Sequence, residues 1–250
     1  MNYKLTKNNL KIVLIALIVL LLAIIALSFL ASHALNDSPK QIRQEAISAS
    51  EKIHVRTKTI NYNVDGFDVN MHIPEFADLP YSMNTYINQK IDNDLYYRNV
   101  YDELTSSIYD KSSIGIFKYN VEYVRYNYKD YISLVVTQEI QLGEERAISK
   151  KKTYVVDANK EKTTVLRDIM ANKTSYKEKI VDYINTEAFK NRIELVGGRG
   201  ITSIQDTQKF YIKDDGTLHI YFDPSEISPA SFGALDFEMP FKWQEDGFAF

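Results

Sequence analysis

Cysteine is absent from the 250 residues, and glycine (9), proline (6) and tryptophan (1) are scarce. Without a thiol there is no disulfide framework, no thiolate nucleophile, no iron–sulfur cluster, no Cys-ligated zinc and no lipid-modified cysteine. So little glycine and proline excludes collagenous and low-complexity chains. Stability must therefore come from a buried core, and ~200 residues are enough to build one. Histidine is also rare: His33, His54, His72 and His219. His33 stands beside an apolar run, and no two of the others share helical or tight-loop spacing, so neither a metal site nor a cofactor is expected. What is there resembles a globular chain, with 45% hydrophobic and 25% charged residues, values close to the average.

Charge is unevenly spread. Lys4, Lys7 and Lys11 are the only charges before residue 35, which leaves 27 basic and 33 acidic residues beyond it, a net −6. That balance argues against a nucleic-acid partner, whose phosphates call for a basic patch, and favours a cationic one. From Ile12 to Ala31 the single polar residue is Ser28. Twenty such residues make about 30 Å of helix, the thickness of a bilayer core. With three lysines in front, residues 1–11 are expected to be a cytoplasmic stub, 12–31 a single transmembrane helix and the C-terminal part extracellular. The competing reading is a cleaved signal peptide, because Ser32 and Ala34 occupy the −3 and −1 positions of a candidate signal-peptidase site.

Residues 32–52 read as a polar stalk, and from Ile53 the pattern alternates. Val55 to Val64 and Phe67 to Ile73 flank Asp65-Gly66, a hairpin signal, and the slip before Ile60 suggests a bulge. Ser82 opens a helical stripe through Ile87, Ile91, Leu95, Tyr97, Tyr101, Leu104 and Ile108. Three strands with loops at Asn127–Asp130 and Gly143–Glu145 follow, an antiparallel meander. Ser175 and Glu178 match a capping box for a helix ending near Asn191. Phe210–Ile212 and Leu218–Phe222 form a second hairpin around Asp214-Asp215-Gly216, and Leu235 to Phe241 is a final strand. The class is α+β: an antiparallel sheet packed with a few helices, with subdomains at 53–112 and 113–250.

No catalytic constellation emerges, and the chain is not expected to be an enzyme. A nucleophile elbow is missing. Gly197-Gly198-Arg199-Gly200 follows a helix and lacks the Lys-Ser/Thr ending of a phosphate loop. Glu144-Glu145, Asp214-Asp215 and Glu245-Asp246 fall in turns, where solvated acids are ordinary. Tyrosine is abundant at 18, with Tyr119, Tyr123, Tyr126, Tyr128, Tyr131, Tyr154, Tyr211 and Tyr221 in strands. Cross-strand packing explains them first; a rigid binding face is the alternative. One loop stands out as a candidate binding site. Pro224 and Pro229 pre-organise the segment that carries Tyr221, Phe222, Glu226 and Phe232.

That same region carries a resemblance. The run from Phe210 to Gly233, with Phe222-Asp223-Pro224-Ser225-Glu226-Ile227-Ser228-Pro229 at its centre and Met239-Pro240-Phe241 after it, resembles the C-terminal signature of the extracellular domain of RsiV-type anti-sigma factors and PdaC-type peptidoglycan deacetylases. Upstream, His72-Ile73-Pro74-Glu75-Phe76, then Ile87-Asn88-Gln89-Lys90-Ile91, and later Val165 to Met170 are similar to the same family, over about residues 53–241. Gly143-Glu144-Glu145-Arg146-Ala147 departs from a Gly-Ala-His-Gly-like stretch common there. Neither a sigma-binding nor a deacetylase domain accompanies the resemblance. It implies a membrane-anchored sensor or binding module of a Gram-positive-type envelope, recognising lysozyme, another envelope protein or peptidoglycan. The alternatives are a signalling protein processed by regulated proteolysis, anti-sigma-like, and an enzyme acting on wall polymers.

Overall fold

The computed structural model describes residues 48–108, 110, 114–245 and 247–249. The apolar segment 12–31, Ser32, Ala34 and His33 lie outside these residues. Among the described residues no helix is long and apolar enough to cross a membrane. The described residues form one compact unit. Its spine is a six-stranded sheet, built in chain order from β1 (Val55–Val64), β2 (Phe67–Phe76), β3 (Phe117–Tyr128), β4 (Tyr131–Leu142), β5 (Ile148–Asp157) and β6 (Lys162–Thr163).

β1 and β2 pair residue for residue from Val55–Phe76 to Val64–Phe67. Asp65 and Gly66 both hold positive φ (56° and 81°) at the turn, the conformation that Asp-Gly supplies readily. No bulge forms before Ile60. Lys58 takes the inner position instead, its ammonium 2.8 and 2.9 Å from the Asp92 carboxylate. The sheet is mixed and not wholly antiparallel, because β2 and β3 run parallel from Phe67–Phe117 to Met71–Val121. A parallel neighbour needs a long crossover, and two helices provide it: α1 (Tyr81–Leu95) and α2 (Tyr97–Thr105). The expected single stripe breaks at Tyr96, whose ψ of 113° ends the helix. This turns the rings of Tyr97 and Tyr101 onto Phe67 at 5.5 and 5.0 Å.

Two cores lie on the faces of this sheet. Ile87, Ile91 and Leu95 of α1 cover Val69, Met71, Phe117, Tyr119, Ile132, Leu134 and Tyr154. On the other side, Tyr131 and Val155 meet the C-terminal half, including α3 (Tyr176–Lys190) and a three-stranded sheet of β7 (Phe210–Ile212), β8 (Leu218–Phe222) and β9 (Leu235–Glu238). Being covered twice explains why Tyr131 to Val136 is buried without alternation. The sheet also runs across residue 112, with β2 on one side of it and β3 on the other. Ser133 Oγ accepts the Ile212 N–H at 3.0 Å and fixes β7 on β4. The strand expected to run from Leu235 to Phe241 as the final one ends at Glu238, and a further hairpin follows from β10 (Lys242–Gln244) and β11 (Gly247–Ala249).

The capping box is not made: Ser175 caps α3 without a side-chain hydrogen bond. Asn172 does the work one step earlier, its Oδ1 accepting the Thr174 N–H (3.0 Å), the Ser175 N–H (3.2 Å) and the Thr174 hydroxyl (2.8 Å). Asn172→Ala is therefore expected to cost about 1 kcal/mol, the ordinary worth of such a turn cap, and Ser175→Ala under about 0.5 kcal/mol. Urea denaturation midpoints decide it; equal losses would restore Ser175 as the cap.

Candidate functional site

The loop chosen from sequence is held from within. Tyr221 and Phe222 are 1% and 2% exposed and belong to the interior, so the packing explanation of these aromatics applies and they present no binding face. Phe232 is 40% exposed. Glu226 folds back, its Oε2 accepting the Asp223 N–H at 2.7 Å, while its own N–H donates to the Asp223 carbonyl at 3.1 Å. Glu226 thus shapes the turn, and Lys209 reaches it at 3.6 Å while pairing closely with Asp223.

Lys209 also borders a cleft of about 470 Å³ that draws on four parts of the chain: Tyr86, Lys90 and Asp94 of α1, Lys152 to Val155 of β5, Thr163 to Val165, and Asp206 to Phe210 before β7. This is a size typical of small-ligand sites. Tyr154 O–H donates to Asp94 Oδ2 at 3.1 Å across it. Burial pushes the Tyr154 hydroxyl well above the usual phenol range, and the Asp94 carboxylate adds to the effect. Most charges on the walls are paired: Lys90 with Asp94, Lys209 with Asp223, and Asp206 with Lys177.

Behind the pre-β7 wall is a polar network that the strand pattern did not reveal. Asp236 accepts from Tyr211 O–H at 2.6 Å, and its other oxygen lies 2.9 Å from His219 Nδ1. An ionised carboxylate only accepts, so Nδ1 carries the proton. Lys151 Nζ stands 3.2 Å away and 4.7 Å above the Tyr221 ring. Burial alone would raise Asp236; the bonds from His219 and Tyr211, with the Lys151 charge, more than reverse it and hold the carboxyl at about 2. His219 Nε2 is buried without a hydrogen bond among the described residues, 3.8 Å from Glu238. The signal was present in the sequence as His219, Tyr221, Asp236 and Glu238 on strands that prove to be neighbours, with His219 opposite Glu238 and Tyr221 opposite Asp236. The other described histidines each face one carboxylate, His54 with Asp78 and His72 with Glu122. Among the described residues no group of three or more metal-ligating side chains forms.

The stretch from the turn at Arg167 through α3, β7, β8, the Glu226 turn and β9 is also where a known family is found. Residues 167–242 match DUF3298, a protein family of unknown function. The fold is similar to the crystal structure of a DUF3298-family member from Bacteroides fragilis, with a TM-score of 0.53 and 14% identity over 81% of this chain and 96% of that one. A DUF3298-family protein from Pseudomonas aeruginosa aligns over 75% of this chain and 89% of its own, at 10% identity and a TM-score of 0.47. No curated protein matches the sequence. At 14% identity the likeness to the Bacteroides fragilis protein speaks for shared architecture alone, and the chain spans nearly all of that structure.

Proposed function

We propose that the chain is a single-pass membrane protein whose residues beyond the apolar segment form an extracellular binding module of the bacterial envelope, recognising lysozyme, another envelope protein or peptidoglycan. The observation that carries this reading is the place of the resemblance. Phe210 to Phe241, the residues similar to RsiV-type and PdaC-type extracellular domains, fall wholly inside the DUF3298 match at 167–242. The apolar run behind three lysines and the net −6 beyond it support the anchoring and a basic partner. The geometry suits recognition: an open cleft walled by tyrosine, threonine and lysine, on a rigid sheet. Full-length chain in detergent, mixed with lysozyme and separately with purified sacculi, is expected to retain at least one of them at low salt, with lysozyme released as salt is raised. Retention of neither overturns the reading.

A further inference from the structure

We infer that the cleft between α1, β5 and the pre-β7 segment is a site for a short, extended peptide that carries a carboxylate. This deepens the wall-binding reading by assigning one ligand class to one place. Three groups, each left unspent by the fold, converge there.

The first is backbone. β6 is only two residues long and pairs Val156 and Asp157, so the outer edge of β5 before Val156 has no strand paired to it among the described residues. Val155 C=O is taken by the Thr164 N–H at 2.8 Å, and Lys151 N–H by Asp223 Oδ1 at 3.2 Å. Both residues point outward, and by alternation Thr153 between them does too. Thr153 borders the cleft, and its N–H and C=O have no partner among the described residues. A free donor–acceptor pair on a strand edge is what an added peptide strand takes up.

The second is charge. Lys152 is half-buried on the α1 side, next to Tyr154 on the same face, and has no ionic partner among the described residues. The neighbouring lysines Lys90 and Lys209 are both paired. A half-buried ammonium without a counter-ion favours an incoming carboxylate.

The third is a hydroxyl. Thr164 is 8% exposed, its Oγ1 makes no hydrogen bond among the described residues, and it lines the cleft. A buried hydroxyl left unsatisfied is costly, and a peptide amide or carboxylate in the cleft would satisfy it. Tyr86, 56% exposed at the rim, adds an aromatic wall.

The occupancy test uses the full-length chain and three probes at roughly millimolar concentration, the weak end of specific recognition: acetyl-Thr-Val-Glu-Val-amide, the same peptide with Gln for Glu, and tetra-N-acetylchitotetraose. The acidic peptide is expected to slow hydrogen exchange at the Thr153 amide and to bind about tenfold tighter than the Gln form, about the worth of one charge-assisted hydrogen bond. Lys152→Met should erase that preference. Thr164→Val, which removes the unsatisfied hydroxyl, should weaken the peptide several-fold without lowering thermal stability. No protection at Thr153, an equal affinity for the two peptides, or protection by the sugar in their place overturns the proposal. Lysozyme or sacculus binding that survives Lys152→Met intact counts against the cleft while leaving the wider reading standing; loss of both ligands by wild type counts against the wider reading.

Discussion

Gly247→Ala is expected to destabilise the fold by about 2–6 kcal/mol, from a strained backbone region (~1–3 kcal/mol) and a steric overlap (~1–3 kcal/mol) acting together. Gly247 opens β11 with φ of 137°, and a methyl there would stand 2.5 Å from the Ile169 carbonyl oxygen and 3.0 Å from the Ala171 nitrogen. Both are backbone atoms and cannot swing aside. The approach is this close because β11 docks beside Met170, with the Ala171 N–H donating to the Phe248 carbonyl at 3.0 Å. Gly66→Ala is the matched control: φ is 81°, but nothing lies within 4 Å of the added methyl, so only conformational strain of about 1–2 kcal/mol applies. Trp243, the single tryptophan, reports the event directly, since it packs on Tyr131 at 5.6 Å and on Phe248 at 5.1 Å. Its fluorescence should shift to the red in the Gly247 variant at a denaturant concentration where the Gly66 variant is still native. Equal midpoints for the two variants would show that the hairpin is not docked as described.

Asp236→Ala should cost about 2–4 kcal/mol, toward the lower side of what breaking a buried ion pair removes, because the carboxylate is partly exposed. The loss leaves the Tyr211 hydroxyl, the His219 N–H and the Lys151 ammonium facing no acceptor. Asp236→Asn keeps an acceptor and should recover part of it. The pH profile separates this from simple packing damage. A carboxyl whose folded value lies near 2 against an ordinary 3.8 stabilises the fold only while ionised. Its contribution, about 2 kcal/mol, is complete above pH 4 and disappears as pH falls through 2. The stability gap between wild type and Asp236→Asn should therefore narrow over that window and stay constant from pH 5 to 8. A gap that is unchanged at pH 2 would mean that the carboxylate charge plays no part.

Local chemistry made some elements legible and left others hidden. Asp65-Gly66 and Asp214-Asp215-Gly216 announce their hairpins because glycine at the turn accepts positive φ that most residues resist. The terminal hairpin had the same signal in Asp246-Gly247, after Trp243 and before Phe248, yet its strands are only three residues each, too short for alternation to stand out. The direction of β3 relative to β2 was not readable, because strand polarity depends on where a crossover returns the chain and not on the strand's own residues. Lys58 at an inner position looked like a slip in register until Asp92, on a helix far along the chain, appeared as its partner. The cleft joins residues from Tyr86 to Phe210; no spacing rule brings those together. Tyrosines in strands were readable as packing, and Tyr119, Tyr131, Tyr154, Tyr211 and Tyr221 are all buried. Among the described residues the exposed tyrosines sit on and just after α1, at Tyr81, Tyr86 and Tyr96, where a sheet-based search does not look.

Every functional reading above requires that the folded part face outward. The most direct test is proteinase treatment of intact and lysed cells carrying the chain with one tag before Met1 and another after Phe250. The account predicts that the C-terminal tag and the fold are lost from intact cells while the tag beside residues 1–11 is protected until lysis. A C-terminal tag that survives on intact cells and disappears only after lysis would contradict it.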